Sequence, residues 1–317
     1  MPVPAIFDRL RLPVIGAPLF IVSNPDLVIA QCKAGIVGSF PALNARPQSQ
    51  LDEWLHQITE ELAAHDRDQP EAPAAPFAVN QIVHRSNDRF EEDMATCAKW
   101  KVPIVITSLG AREDLNHAVH DWGGITLHDI IDDRYAHKAI EKGADGIIAV
   151  AAGAGGHAGR WSPFALVQEI RKWFDGPLIL SGAIATGGAV LAAQAMGADF
   201  AYIGSPFIAT PEARATEEYK QAITEGGAAD IVTSALFTGV SGNYLRASIV
   251  AAGLNPDDLP APGADAMNFQ AATGAKAWRD IWGSGQGIGV VDKVTPAGEL
   301  IARLSREYDA ARARLSL

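Results

Sequence analysis

Short apolar segments alternate with segments of helical periodicity along most of this chain. Each apolar segment has the length of a single strand and is bounded by glycine, proline or polar residues. Such strands, alternating with helices, predict a parallel sheet covered by helices on both faces. Eight of them favour a closed (β/α)8 barrel over a doubly wound sheet, which usually has fewer strands. The predicted strands are Pro13–Pro18, Gly35–Ser39, Phe77–Ile82, Val102–Ser108, Ile125–His128, Gly146–Val150, Pro177–Ser181 and Asp199–Gly204.

The helices between these strands are marked by apolar stripes and by end signals. In residues 47–66, Leu51, Trp54, Leu55, Ile58 and Leu62 recur at spacings of three and four, which predicts one buried face. Asn24-Pro25 and Ser162-Pro163 each place proline at the first helical position. The predicted helices cover residues 25–33, 47–66, 86–100, 113–119, 132–142, 163–173, 187–196 and 296–314.

One segment, residues 212–291, does not fit the alternation and is too long for a barrel connection. We interpret it as a small, mostly helical cap beside the barrel mouth, inserted after strand eight. The barrel itself is then assigned to residues 1–211 and 292–317. Within the insertion, residues 238–245 and 278–282 combine glycines with aromatic and amide groups, which suits a lid. Packing of the cap on the barrel explains the tryptophans equally well.

Charge and composition exclude several partner classes. The net charge is −11, from 26 basic and 37 acidic residues, and no Lys/Arg cluster suggests a nucleic-acid partner. The sequence has no apolar run of about 18 residues, the length that a membrane span requires. The N-terminus lacks the features of a signal peptide, and the two cysteines suggest a reducing, cytoplasmic setting. The sequence allows a homo-oligomer without indicating one.

The glycine-rich loop of residues 151–160 follows the sixth strand and contains a single histidine, His157. In a barrel of this kind the active site lies at the carboxyl ends of the strands. A histidine with a pKa near neutrality can remove a proton from an acidic carbon or donate one to a developing anion. No second histidine or carboxylate has metal-ligand spacing with it, so no metal site is predicted. The alternative interpretation is a tight turn with an incidental histidine.

Small residues also follow the seventh and eighth strands. Ser181, Gly182 and Ala183 end one, and Gly204 and Ser205 end the other. Loops at these two positions of a barrel commonly bind a phosphate through backbone N–H groups. A phosphate-bearing cofactor is therefore favoured over small residues that merely pack the rim.

Three polar residues at other strand ends are also candidates. Asn80 could contact the edge of a heteroaromatic ring, or it could bond a neighbouring loop. We interpret His128 as a hydrogen-bonded rim residue and Asp129 as the cap of the next helix, in preference to catalytic roles.

Several of these motifs, in this order and spacing, resemble the nitronate monooxygenase family, formerly called 2-nitropropane dioxygenases. These enzymes are FMN-dependent TIM barrels without a required metal, so the resemblance implies that fold and cofactor here. The departures are Leu19, Val150, Ala183 and Ser205, where the family usually has methionine, glutamine, glycine and threonine. The matching motifs are Gly16–Leu19, Val79-Asn80, Gly143–Gly146, Gly153–Gly159, Ser181–Ile184, Gly197–Ser205 and Gly283–Gly287.

The resemblance also implies a role for each site residue. His157 matches the catalytic base, which would take the α-proton of a neutral nitroalkane. Tyr202 and Ile203 would line the end of the eighth strand, and Gln286 would border the flavin. Phosphate contacts would come from Ser181, Gly182, Ala183, Gly204 and Ser205. The flavin would be approached by Ala17, Pro18, Leu19, Asn80, Gly155 and Gly156.

Three functions are consistent with this resemblance. The first is oxidation of alkyl nitronates, or neutral nitroalkanes, by O2 to a carbonyl compound and nitrite. The second is FMN-dependent reduction of an enoyl thioester or quinone by NAD(P)H, with His157 as proton donor or substrate anchor. The third is a non-catalytic flavin-binding barrel, for which a histidine at the predicted site would have no use.

Overall fold

The computed structural model describes residues 3–260 and 278–316. The strands are β1 Val14–Gly16, β2 Gly38–Pro41, β3 Phe77–Ile82, β4 Ile104–Ser108, β5 Ile125–Ile130, β6 Gly146–Val150, β7 Gly156–His157, β8 Leu178–Ser181, β9 Phe200–Ile203, β10 Ile231–Ser234 and β11 Gly242–Leu245. Within the described residues, eight of these strands run parallel and form a barrel in the order β1-β9-β8-β6-β5-β4-β3-β2, which confirms the predicted (β/α)8 TIM barrel. The Gly16 N–H donates to the Val37 carbonyl at 2.7 Å and joins the two ends of the sheet.

Helices follow the barrel strands at the predicted places, with ends that differ from the prediction by a few residues. The largest shifts are at the starts of the second and third helices, which begin at Gln50 and Phe90. The helices are α1 Pro25–Lys33, α2 Gln50–Asp68, α3 Phe90–Lys99, α4 Glu113–Asp121, α5 Asp133–Glu141, α6 Pro163–Arg171, α7 Gly187–Met196, α8 Ser205–Ile208, α9 Glu217–Glu225, α10 Arg246–Ala251 and α11 Ala297–Leu315. Short 3-10 turns lie at Ala5–Phe7, Ala42–Asn44, Ala228–Asp230 and Gln286–Val290.

The barrel interior is filled by apolar side chains and forms a packed core below the mouth. Ile148 and Ile179 are fully buried within this interior cluster. Phe7 reaches it from the N-terminal turn and packs on Phe200, with ring centroids 4.7 Å apart. Tyr202 is the member of the cluster that reaches the wall of the cavity at the barrel mouth.

The insertion contains strands as well as helices. Besides α9 and α10 it carries the β10–β11 hairpin, which the sequence did not predict. Strand β11 pairs with β7, placing Gly242 opposite His157, and the Asn243 amide donates to the Ala154 carbonyl at 2.7 Å. These pairings hold the hairpin against the glycine-rich loop. The boundaries at 211 and 291 stay a prediction, and residues 261–277 of the insertion lie outside the described residues.

Neither cysteine is placed for catalysis. Cys32 in α1 and Cys97 in α3 are free and fully buried in the helical layer. Burial raises the pKa of each thiol to about 12, so both stay protonated at neutral pH. Among the described residues, no helix is long and apolar enough to span a membrane.

Candidate active site

A cavity of about 450 Å³ opens at the carboxyl-terminal end of the barrel. Its size is typical of a small-molecule or cofactor site. The loop after β6, the ends of β8 and β9, and the insertion all contribute to its wall. The predicted site residues on this wall are Ala17, Pro18, Leu19, Asn80, Gly155, Gly156, His157, Ser181, Gly182, Ala183, Tyr202, Gly204 and Ser205.

Two predicted residues do not line the cavity. Ile203 is fully buried in the layer between strands and helices, because successive side chains of a strand point to opposite faces and its neighbour Tyr202 points inward. Its carbonyl accepts the Ala17 N–H at 2.8 Å. Gln286 donates its backbone N–H to the Gly153 carbonyl at 2.9 Å, and its neighbours Gly285 and Gly287 line the cavity while Gln286 does not.

The glycine-rich loop is packed between barrel and insertion. Gly156 has φ 67°, in the left-handed region, and a Cβ there would come within 3.4 Å of the Trp278 ring. A Cβ on Gly155 would lie 2.8 Å from the Gly285 nitrogen. The glycines therefore permit close packing against the insertion.

His157 lies half-buried on the cavity wall, in contact with two residues of the insertion. Its Nε2 is 3.1 Å from the Thr238 hydroxyl, and its ring meets that of Trp278 edge-on with centroids 5.3 Å apart. Burial lowers the pKa of His157 from its ordinary value of 6.5. The imidazole is therefore mostly neutral at neutral pH, the form that can accept a proton.

The Thr238 hydroxyl is positioned to fix the His157 ring. It lies 3.1 Å from the Val240 carbonyl, to which it can donate its single proton. With that bond made, the hydroxyl accepts from His157 Nε2–H, and Nδ1 keeps the free lone pair. Neither Thr238 nor Trp278 could be linked to His157 from the sequence, because the tertiary fold alone brings them together.

A chain of polar side chains crosses the ends of β3, β4 and β5. The Asn80 amide donates to the Ser108 hydroxyl at 2.8 Å, and Ser108 donates to Asp129 Oδ2 at 2.5 Å. Burial raises the pKa of Asp129 to about 6, although the Ser108 bond opposes the shift. All three residues line the cavity.

The interpretation of Asp129 as a helix cap is wrong. Asp132 caps α5 instead, accepting the Tyr135 N–H at 2.9 Å, while Asp129 faces the cavity from inside β5. His128 is buried on the outer side of the same strand, where its Nδ1 lies 2.5 Å from the Thr107 hydroxyl. Burial, together with the charge of Lys142, lowers the pKa of His128 to about 4.

The ends of β8 and β9 present bare backbone to the cavity. Gly182 has φ 146°, and a Cβ there would lie 2.8 Å from the Ala152 carbonyl. Ala183 adopts φ 54°, a left-handed conformation that glycine adopts without strain, and its N–H bonds the Gly153 carbonyl at 3.2 Å. Ser205 accepts the Gly285 N–H at 2.8 Å.

The segment Gly283–Gly287 closes one side of the cavity, and its glycines are required by close backbone approach. A Cβ on Gly285 would lie 2.6 Å from the Gly153 carbonyl oxygen. We expect Gly285→Ala to lower stability by about 1–3 kcal/mol, because two backbones must separate to admit one methyl group. Gly289→Ala is the matched control, since its nearest neighbour would be 3.7 Å away. Urea unfolding of both variants measures the difference, and equal midpoints would contradict this packing.

Comparisons with known proteins agree with this architecture. The family model described as nitronate monooxygenase matches residues 6–307. The nitronate monooxygenase of Paraburkholderia phytofirmans is 27% identical over 93% of this chain and 92% of its own length. The similarity thus extends through the barrel and the insertion.

Solved structures with the same fold come from proteins of different names. FabK from Thermotoga maritima superposes with a TM-score of 0.79 at 22% identity, covering 98% of this chain and 97% of its own. The nitroalkane oxidase from Streptomyces ansochromogenes also has a TM-score of 0.79, at 24% identity, covering 98% and 100%. At such identities these structures support the fold alone.

Proposed function

The chain belongs to the nitronate monooxygenase family of flavin-dependent oxidoreductases, and from that premise we propose that it oxidises alkyl nitronates with O2, using FMN. Neutral nitroalkanes are substrates of the same site, and the products are a carbonyl compound and nitrite. The family match over residues 6–307 supports the oxidation of nitronates. The observation that carries the extension to neutral nitroalkanes is His157, a largely neutral histidine on the wall of a cofactor-sized cavity.

The residues of the cavity fit a flavin. Gly182 and Gly204, with Ala183 and Ser205, present small side chains and backbone at the ends of β8 and β9, where the phosphate would be held. The buried Asp129 Oδ1 and Tyr202 hydroxyl have no hydrogen-bond partners among the described residues. A ligand with polar groups at this part of the wall would supply those hydrogen bonds. FMN would supply the redox chemistry, accepting electrons from the substrate and passing them to O2.

The contribution of the protein to this reaction is a positioned base. A neutral nitroalkane must lose its α-proton before oxidation, whereas the nitronate is already deprotonated. Neutral His157 can take that proton, and the hydrogen bond between Nε2 and Thr238 holds the ring and stabilises the imidazolium that forms. Trp278 and the β10–β11 hairpin restrict water around the ring.

The pH dependence follows from the sign of the His157 shift. A lowered pKa means that the base form persists below pH 6.5, the ordinary value for histidine. For a neutral nitroalkane, kcat/KM should therefore fall only as the pH drops below 6.5. Steady-state rates across a pH series measure this acidic limb of the pH–rate profile. An acidic limb with its midpoint above pH 6.5 would contradict a desolvated His157 as the base.

Thr238 provides a second prediction for the same group. Thr238→Val removes the hydroxyl but keeps the side-chain shape, and we expect a loss of roughly tenfold in kcat for neutral nitroalkanes, about the value of one hydrogen bond. The acidic limb should also move to lower pH, because a hydrogen-bond acceptor of the imidazolium is lost. Thr238→Ser restores the hydroxyl and should restore both. If Thr238→Val leaves the pH profile unchanged, Thr238 does not position His157.

Oxygen consumption and nitrite release test the proposed reaction directly. Purified protein loaded with FMN is supplied with ethyl nitronate or propionate 3-nitronate, and both quantities are followed together. We expect O2 uptake and nitrite formation that depend on protein concentration. Neither would occur if the protein were a non-catalytic flavin binder.

A second candidate, reduction of an enoyl thioester or quinone by NAD(P)H, is favoured by Val150. This valine lines the cavity where the resemblance places a glutamine, so the wall is more apolar there. His157 weighs against the reductase, because a histidine with a lowered pKa is a poor proton donor at neutral pH. Reduction of the flavin by nicotinamides separates the two functions.

A further inference from the structure

Two buried polar atoms on the cavity wall have no hydrogen-bond partner among the described residues. They are Oδ1 of Asp129, at the end of β5, and the hydroxyl of Tyr202, at the end of β9. Tyr202 is only 7% exposed. Burial raises the pKa of Tyr202 well above its ordinary value, and the negative charge of Asp129 raises it further. The hydroxyl therefore stays protonated and can donate.

The hydrogen bonds around Asp129 determine which partner it needs. Ser108 accepts from the Asn80 amide and gives its single proton to Asp129 Oδ2. The carboxyl group is thus used as an acceptor on one oxygen, and no group donates to the other. Oδ1 requires a donor, while the Tyr202 hydroxyl requires an acceptor. No hydrogen bond joins the two groups to each other.

A ligand that satisfies both groups must carry an N–H or O–H donor next to an acceptor. Leaving such groups unpaired in a buried site costs free energy, so a bound partner is strongly favoured. The oxidised flavin ring has one N–H, at N3, and a carbonyl group lies on each side of it. This imide edge has the required pattern.

We propose that Asp129 Oδ1 accepts the N3–H of the flavin and that Tyr202 donates to the adjacent carbonyl oxygen. This inference rests on the proposed FMN cofactor and assigns the residues that recognise the ring. The polar chain from Asn80 through Ser108 then orients Asp129. A carboxylate at this edge also opposes the gain of negative charge on reduction, so it lowers the reduction potential of the flavin.

The test compares FMN with 3-methyl-FMN, in which N3 cannot donate. Apoprotein is titrated with each, and dissociation constants are measured by quenching of flavin fluorescence. We expect the native protein to prefer FMN by about tenfold or more, the value of a hydrogen bond to a charged group. Asp129→Ala should abolish this preference. Tyr202→Phe should weaken the binding of both flavins and keep the preference for FMN.

A second measurement uses the loaded protein without turnover. The flavin midpoint potential should be more positive in Asp129→Asn than in the native protein, because the charge is gone while an acceptor remains. An unchanged or more negative potential would contradict the contact.

The outcomes separate this inference from the proposed function. Equal affinities of the native protein for FMN and 3-methyl-FMN overturn the contact without requiring any variant to fold. In that case the FMN cofactor stands and only the assignment of Asp129 fails. If the native apoprotein binds neither flavin, the proposed function fails as well.

Discussion

We expect His157→Ala to lower turnover of a neutral nitroalkane by about 10²–10⁴-fold, the usual contribution of a general base. The side chain lies on the cavity wall, is held through Nε2 by Thr238, and is largely neutral because burial lowers its pKa. Turnover of the corresponding nitronate should fall much less, because that substrate has already lost its α-proton. The two substrates thus separate proton removal from the later oxidation.

The measurement pairs nitroethane with ethyl nitronate at a fixed pH and follows FMN content by absorbance. His137→Ala is a matched control, because this histidine lies on α5 at the surface, stacked on Trp173 and outside the cavity. It should leave both rates unchanged. Equal rates of His157→Ala and native protein on nitroethane would exclude His157 as the base. If the His157→Ala variant does not retain FMN, His157 has a structural role in cofactor binding.

Gly187→Ala should cause the largest loss of stability among single-methyl changes in the barrel wall. Gly187 is the first residue of α7, and its Cα faces the backbone of α11, which packs against it. A Cβ there would lie inside van der Waals contact with the Leu304 carbonyl oxygen and the Tyr308 nitrogen. Because both are backbone atoms, no rotamer change relieves the overlap and α11 must move. We expect a cost of about 3 kcal/mol, at the upper end for overpacking.

Gly188→Ala is the control for this prediction, one residue further along α7. Its added Cβ would have its nearest neighbour at 3.9 Å, an ordinary contact. Alanine is also the better helix former, so stability should rise by about 0.5–1 kcal/mol. Urea unfolding of both variants gives the two free-energy changes. The assigned packing of α7 on α11 is wrong if Gly187→Ala is as stable as Gly188→Ala.

The sequence predicted the features that depend on local pattern. Each barrel strand was found because a buried strand is continuously apolar, and α1 and α7 were placed correctly by their caps and prolines or glycines. The same rules placed Ser181 and Gly204 at strand ends and His157 in the loop after the sixth strand, and all three line the cavity. The alternation of side chains along β9 can also be read from the sequence. With Tyr202 facing the barrel interior, this alternation excludes the Ile203 side chain from the cavity wall.

The errors concern features that the tertiary fold determines. Asp129 and Asp132 are both plausible caps in sequence, and only the register of β5 shows that Asp129 faces the cavity. The β10–β11 hairpin was missed because β11 is stabilised by pairing with β7, more than 80 residues earlier in the chain. The contacts of His157 with Thr238 and Trp278 arise from that pairing.

The central claim is that this cavity oxidises nitronates, and anaerobic flavin reduction tests it most directly. FMN-loaded protein is mixed without oxygen with ethyl nitronate, and separately with NADH and NADPH, while the absorbance of oxidised flavin is followed. We expect rapid bleaching by the nitronate and none by either nicotinamide on the same time scale. Rapid bleaching by NADH or NADPH, with no reduction by the nitronate, would contradict the claim and assign the protein to the reductases.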